Sequence, residues 1–97
     1  MIWEWDPEKA RTNLKKHGIS FSTATLVFLD PLLLSWPDPH SDGDRWVTIG
    51  KIRSTVVYVV HTLPKDLLEN NQNVGRIITA RKSTVHERRA YETSKWN

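Results

Sequence analysis

The spacing of apolar positions alternates between a period of two and a helical period, and each change marks an element. Trp3 and Trp5 alternate with Ile2 and Glu4 over residues 1–5, as in a short strand with one apolar face. Asp6-Pro7 then opens a helix: the Asp side chain caps the first turn, and a proline N–H would be unpaired there anyway. Ala10, Leu14 and His17 form its apolar stripe, opposite Glu8, Lys9 and Lys16, and Gly18 supplies a left-handed stop. A second helix is predicted over residues 21–29, between Ser20 and Asp30-Pro31, with Phe21, Ala24 and Phe28 inward and Val27 beside them.

The period then returns to two. Residues 32–36 read as a strand closed by Pro37, and residues 37–44, rich in Pro, Asp, Gly and Ser, as an exposed loop. Residues 45–51 and 55–62 form two neighbouring strands, and Val56–Val60 is apolar on both faces, as a central strand is. Residues 63–73 are polar and Asn-rich and read as a mobile excursion, with Leu67-Leu68 packing locally. A last strand over 74–81 runs into a helix over 84–91, and residues 93–97 are expected to fray. The order β-α-α-β-β-β-β-α predicts a two-layer α+β domain, with an antiparallel sheet packed on helices and its other face open.

Ninety-seven residues suit one domain with one modest core. The composition, 38% apolar and 26% charged, is that of an ordinary globular chain. Without cysteine, disulfides and thiolate chemistry are excluded. No apolar run is long enough to span a bilayer, and residues 1–6 carry no secretory signal pattern, so a cytoplasmic protein without membrane contact is expected. The net charge of +3 is mild but compatible with a polyanionic partner, because the cations gather at residues 9–17 and 76–89.

Candidate chemistry concentrates in residues 76–91. Thr84 and Glu87 have capping-box spacing, which starts a helix immediately after Arg81. Strand alternation puts Arg81, Thr79 and Ile77 on one face and Ala80 and Ile78 on the other, leaving Arg81 on the open side. An ion pair with Glu87 or Asp44 explains Arg81 equally well, and Arg81→Ala is expected to change the melting temperature by only a few degrees. Glu87, Arg88 and Tyr91 lie within one turn of each other, although capping, i,i+4 pairing and core packing account for them without chemistry. His86 is a candidate proton acceptor. Lys16 and His17 close the first helix, where cations complement its dipole, whereas Arg45, heading a strand after an acidic loop, has no such explanation. Trp3 and Trp5 are assigned to the core, and Trp36, Trp46 and Trp96 to a surface that meets a partner. The four histidines have no paired ligand spacing, so no metal and no cofactor are expected.

Several of these residues recur in a known pattern. Trp3-Glu4-Trp5-Asp6-Pro7-Glu8-Lys9-Ala10, Asn13, Lys16-His17-Gly18-Ile19, Phe21, Ala24 and Phe28-x-Asp30-Pro31 resemble the opening signature of the BrnT toxin family. Asp44-Arg45, Ile49-Gly50, Arg76–Arg81, Glu87-Arg88 and Tyr91 resemble its later signature. The resemblance covers nearly the whole chain as one toxin domain. It departs at Asp44, where Glu is usual, at Thr79, where Ser is common, and in the length of residues 63–73. It implies a RelE-like fold and a metal-independent endoribonuclease toxin that inhibits growth. The implied partners are an RNA substrate and a BrnA-type ribbon-helix-helix antitoxin, with operator DNA reached only through that antitoxin. Under this reading Arg45, Arg81, His17, His86, Glu87, Arg88 and Tyr91 are candidate catalytic residues, and Lys16, Arg76 and Lys82 candidate RNA contacts. The alternative is a catalytically weak antitoxin-binding and co-repressor subunit.

Overall fold

The structure is a computed structural model describing residues 2–39, 44–63, 65–67 and 72–94. Strand β1 (Ile2–Glu4) leads into helix α1 (Pro7–His17) and helix α2 (Phe21–Ala24), which tightens into a 3₁₀ helix (Thr25–Leu29). Strands β2 (Leu34–Pro37), β3 (Arg45–Ile52), β4 (Thr55–Thr62), β5 (Lys65–Leu67) and β6 (Gln72–Lys82) follow, and helix α3 (Val85–Ser94) ends the described chain. The sheet order is β1-β6-β4-β3-β2, with β5 also pairing β6. Every pairing is antiparallel except β1 with β6. The fold is thus α+β, with one correction to the expected order: the 63–73 stretch contributes strand β5. Its positions 64 and 68–71 lie outside the described residues, as do 40–43 of the predicted loop and 95–97 of the predicted tail with Trp96. Thr93 and Ser94, expected to fray, form the last turn of α3.

Local chemistry sets the helix ends as expected. Asp6 Oδ1 accepts from the Glu8 amide at 2.8 Å, and Gly18 takes φ +72° while donating to Leu14 O. Ser20 Oγ accepts from the Thr23 amide at 3.1 Å. In α1 the residue turned onto the sheet is Asn13, whereas Leu14 is 50% exposed. In the second helix the change to 3₁₀ geometry at Thr25 gives a spacing of three, which aligns Phe21, Ala24 and Val27 in the core. Phe28 packs at the margin of that cluster.

One core lies between the sheet and α1, α2 and the 3₁₀ helix, built from Val57, Val59, Ile77 and Ala80 against Ile19, Phe21, Ala24 and Val27. Trp3 and Trp5 pack against it, Trp3 stacked on Phe28 at 4.2 Å. A Cβ at position 75 would stand 2.3 Å from the Trp3 ring, so only glycine admits it. The opposite face is not wholly open. Val47, Ile49 and Val56 form a second cluster under Tyr91 of α3, joined by the half-buried Trp36, while Trp46 is also half-buried.

The β4–β6 register shifts at Val60/His61: Val60 pairs with Thr79 but His61 with Ile77. This bulge overturns the expected alternation. Ile77 joins Ala80 in the helix-side core, while Thr79 and Arg81 keep the other face. No helix among the described residues is long and apolar enough to cross a membrane.

Candidate functional site

Beyond Glu4↔Arg76, β1 no longer covers the outer edge of β6, and α1 takes its place. Asn13 Nδ2 donates to Ala80 O at 2.8 Å and to Ile19 O at 3.0 Å, and Asn13 Oδ1 accepts from the Ala80 amide at 3.1 Å. The side chain therefore acts as a one-residue strand on that edge, and it fixes the polar side of α1 beside the bulge. A cleft results, lined by Glu8, Lys9, Thr12, Lys16 and His17 of α1, Arg45 of β3, and Ile78 and Thr79 of β6. The extra residue of the bulge places Ile78 and Thr79 side by side on its wall. Among the described residues that line it, three side-chain cations and one imidazole thus face one carboxylate, Glu8, which pairs with Arg11 at 3.1 Å. This set can attract a phosphodiester and exchange a proton beside it.

Arg81 stands two residues beyond Thr79 on the same face, about 7 Å along the strand. Its guanidinium lies 3.8 Å from the centroid of the Tyr58 ring and grips Glu87 with two hydrogen bonds of 2.8 and 2.9 Å. Glu87 also accepts from the Thr84 amide at 2.7 Å, and the Glu87 amide donates to Thr84 Oγ1 at 3.2 Å, completing the capping box. The hydrogen bonds from Arg81 hold the Glu87 carboxyl below its ordinary range, although burial opposes this, and Glu87 in turn raises the Arg81 guanidinium. Tyr58 is pushed up by burial, partly offset by Arg81, and it meets Trp36 edge-on at 6.5 Å.

The sequence-predicted residues therefore separate. Lys16, His17 and Arg45 share the cleft, and the Arg81–Glu87 pair continues the same sheet face. Arg76 is exposed, its amide donating to Thr62 Oγ1 at 2.9 Å. Lys82 pairs with Val57 and belongs to the helix-side face. His86 and Arg88 are exposed on α3, Arg88 lying 3.5 Å from Glu92. Tyr91 is 2% exposed, and its hydroxyl donates to Asp30 Oδ2 at 2.5 Å, so it meets the core and not the cleft. Burial and that carboxylate push the Tyr91 phenol up to about 12. Asp30 also accepts from the Lys51 and Leu32 amides; burial raises its carboxyl, but the Tyr91 hydroxyl and these two amides together hold it below the usual range.

Sequence reasoning missed Asn13, Asp30 and Tyr58. Asn13 left a signal, since a poor helix former stood on the inward stripe of α1 between Ala10 and His17. Tyr58 lay within an apolar run and was indistinguishable from core. Among the described residues, no three His, Asp or Glu side chains are grouped as a metal site.

No curated protein matches the chain. Residues 5–87 match a family described as ribonuclease toxin, BrnT, of type II toxin-antitoxin system. That span holds the capped helix α1, the cleft, the bulged strand and the Arg81–Glu87 pair. The chain accordingly belongs to the BrnT family of ribonuclease toxins of type II toxin–antitoxin systems.

Proposed function

We propose that the α1–β6 cleft cleaves RNA without a metal ion. The ribose 2′-hydroxyl attacks the adjacent phosphate, and the 5′-oxygen of the next nucleotide leaves, giving a 2′,3′-cyclic phosphate. The observation that carries this reading is the convergence of Lys16, His17 and Arg45 with Thr79 in one cleft. His17 exchanges the proton, and Arg45 and Lys16 balance the charge that develops on the phosphorane. Arg81 extends the phosphate track. Glu87 holds the guanidinium in place; a carboxylate with lowered proton affinity is a poor base, so its part is positioning. Arg76 lies further along the RNA path.

The toxin acts in the cytoplasm and is neutralised by a BrnA-type ribbon-helix-helix antitoxin, which alone contacts operator DNA. Purified chain, incubated with RNA in EDTA, is expected to leave cyclic phosphate ends, while His17→Ala and Arg45→Ala lose at least about a hundredfold in rate. Activity abolished by chelation and restored by a divalent ion would sink the mechanism. Soluble, folded chain that leaves RNA intact and growth unimpaired would favour a co-repressor subunit instead.

A further inference from the structure

The 3₁₀ helix presents a surface that the proposed cleavage does not use. Residues three apart eclipse in this geometry, so while Ala24 and Val27 go inward, Leu26 and Leu29 share the outer side. Leu29 is 77% exposed, Leu26 44% and Leu32 46%. All three line one shallow depression with Pro31, Tyr91, Lys51 and Arg53. Isolated exposed leucines are ordinary, but three around one depression with a cationic rim mark a contact surface. Arg53 strengthens this reading. It takes φ +56° in the tight β3–β4 turn, where glycine or asparagine is less strained, and so keeps a guanidinium on the rim.

We propose that this depression docks the antitoxin, receiving an amphipathic helix whose apolar side chains seat on Leu26, Leu29 and Leu32. Acidic side chains of that helix then face Lys51 and Arg53. The inference rests on the type II toxin reading, which requires a protein antitoxin. The surface suits RNA poorly, because the leucines provide neither stacking faces nor phosphate donors. A second copy suits it less well, since a two-fold contact would gather two sets of Lys51 and Arg53 in one small interface. Asp30, also in the depression, is already engaged by Tyr91 and two amides.

The test co-expresses wild type, Leu29→Asp and Arg53→Glu with the ribbon-helix-helix antitoxin of the same operon, and measures growth rescue and affinity of the purified pairs. Both changes lie at the surface, and melting curves confirm folding. The expected result is that each variant arrests growth alone, escapes rescue, and binds the antitoxin at least tenfold more weakly. Arg53→Glu should also flatten the salt dependence of binding. Rescue and affinity equal to wild type in both variants overturn the proposal. So does a wild-type dimer that Leu29→Asp converts to monomer with rescue intact, which would make the surface a contact between copies. Wild type that binds the antitoxin through this surface without arresting growth would refute the ribonuclease reading alone.

Discussion

Asn13 builds one side of the cleft, because its side chain joins α1 to the edge of β6. Leucine there would leave the Ala80 N–H and C=O buried without partners, at about 1–3 kcal/mol each. Asn13→Leu is therefore expected to lower the melting temperature by roughly 10–25 °C and to reduce RNA cleavage with Lys16, His17 and Arg45 intact. A melting temperature within about 3 °C of wild type would show that water replaces the amide. His61 is a second buried polar residue, carrying its proton on Nδ1 to donate to Thr62 O at 2.8 Å, while Nε2 accepts from the Thr48 hydroxyl at 2.6 Å. Burial beside Trp3 and Phe28 lowers its proton affinity. The unfolded chain therefore binds the extra proton, so this contribution to stability is full above about pH 6.5 and is lost as pH falls towards the folded value. Urea midpoints at pH 7.5 and 5.5 should differ more for wild type than for His61→Gln. Arg81, gripping Glu87 and stacked on Tyr58, is a partner in the fold as well as a candidate contact. Arg81→Ala should cost about 1–2 kcal/mol, more than its expected place on the open face implied, and in line with the ion pair to Glu87 that was the other expectation.

At the scale of elements, α3 is held by contacts from across the chain. Its start is bound by the capping box and Arg81, and its middle by Tyr91, which reaches Asp30 at the margin of β3. The Tyr91 phenol, raised to about 12 against an ordinary 10, stays protonated in the folded state where the unfolded one ionises. The stability it contributes is present below about pH 10 and falls as pH rises through the folded value. Tyr91→Phe should lose about 1–2 kcal/mol at neutral pH; a loss that persists unchanged at pH 11 would contradict the Tyr91–Asp30 assignment. The sequence marked this helix's start through Thr84 and Glu87, because capping is a matter of three-residue spacing. It could not mark which sheet face the helix would cover, since that depends on partners sixty residues away. The bulge in β6 is likewise unmarked: Ile77, Ile78, Thr79 and Ala80 satisfy uninterrupted alternation as well as they satisfy the break.

For the whole molecule, net charge matters less than its placement. Lys9, Lys16 and Arg45 come from two distant segments and meet at one cleft. If these three contact phosphates, the affinity for single-stranded RNA should fall with salt at a logarithmic slope of about −2, and Arg45→Ala should make that slope shallower by about 0.7. A slope unchanged by Arg45→Ala would place the phosphates elsewhere. The sequence by itself determined the helix starts, most strand positions, the α+β class and, by resemblance, the family, because caps, periodicity and turn residues act over a few positions. Only the tertiary structure decided that Asn13 closes a strand edge, that Tyr91 is buried on Asp30, and that His17 and Arg45 share a cleft. Those outcomes depend on which backbone edge is left unpaired and where a one-residue register shift falls, and both are set by packing between segments far apart in the chain.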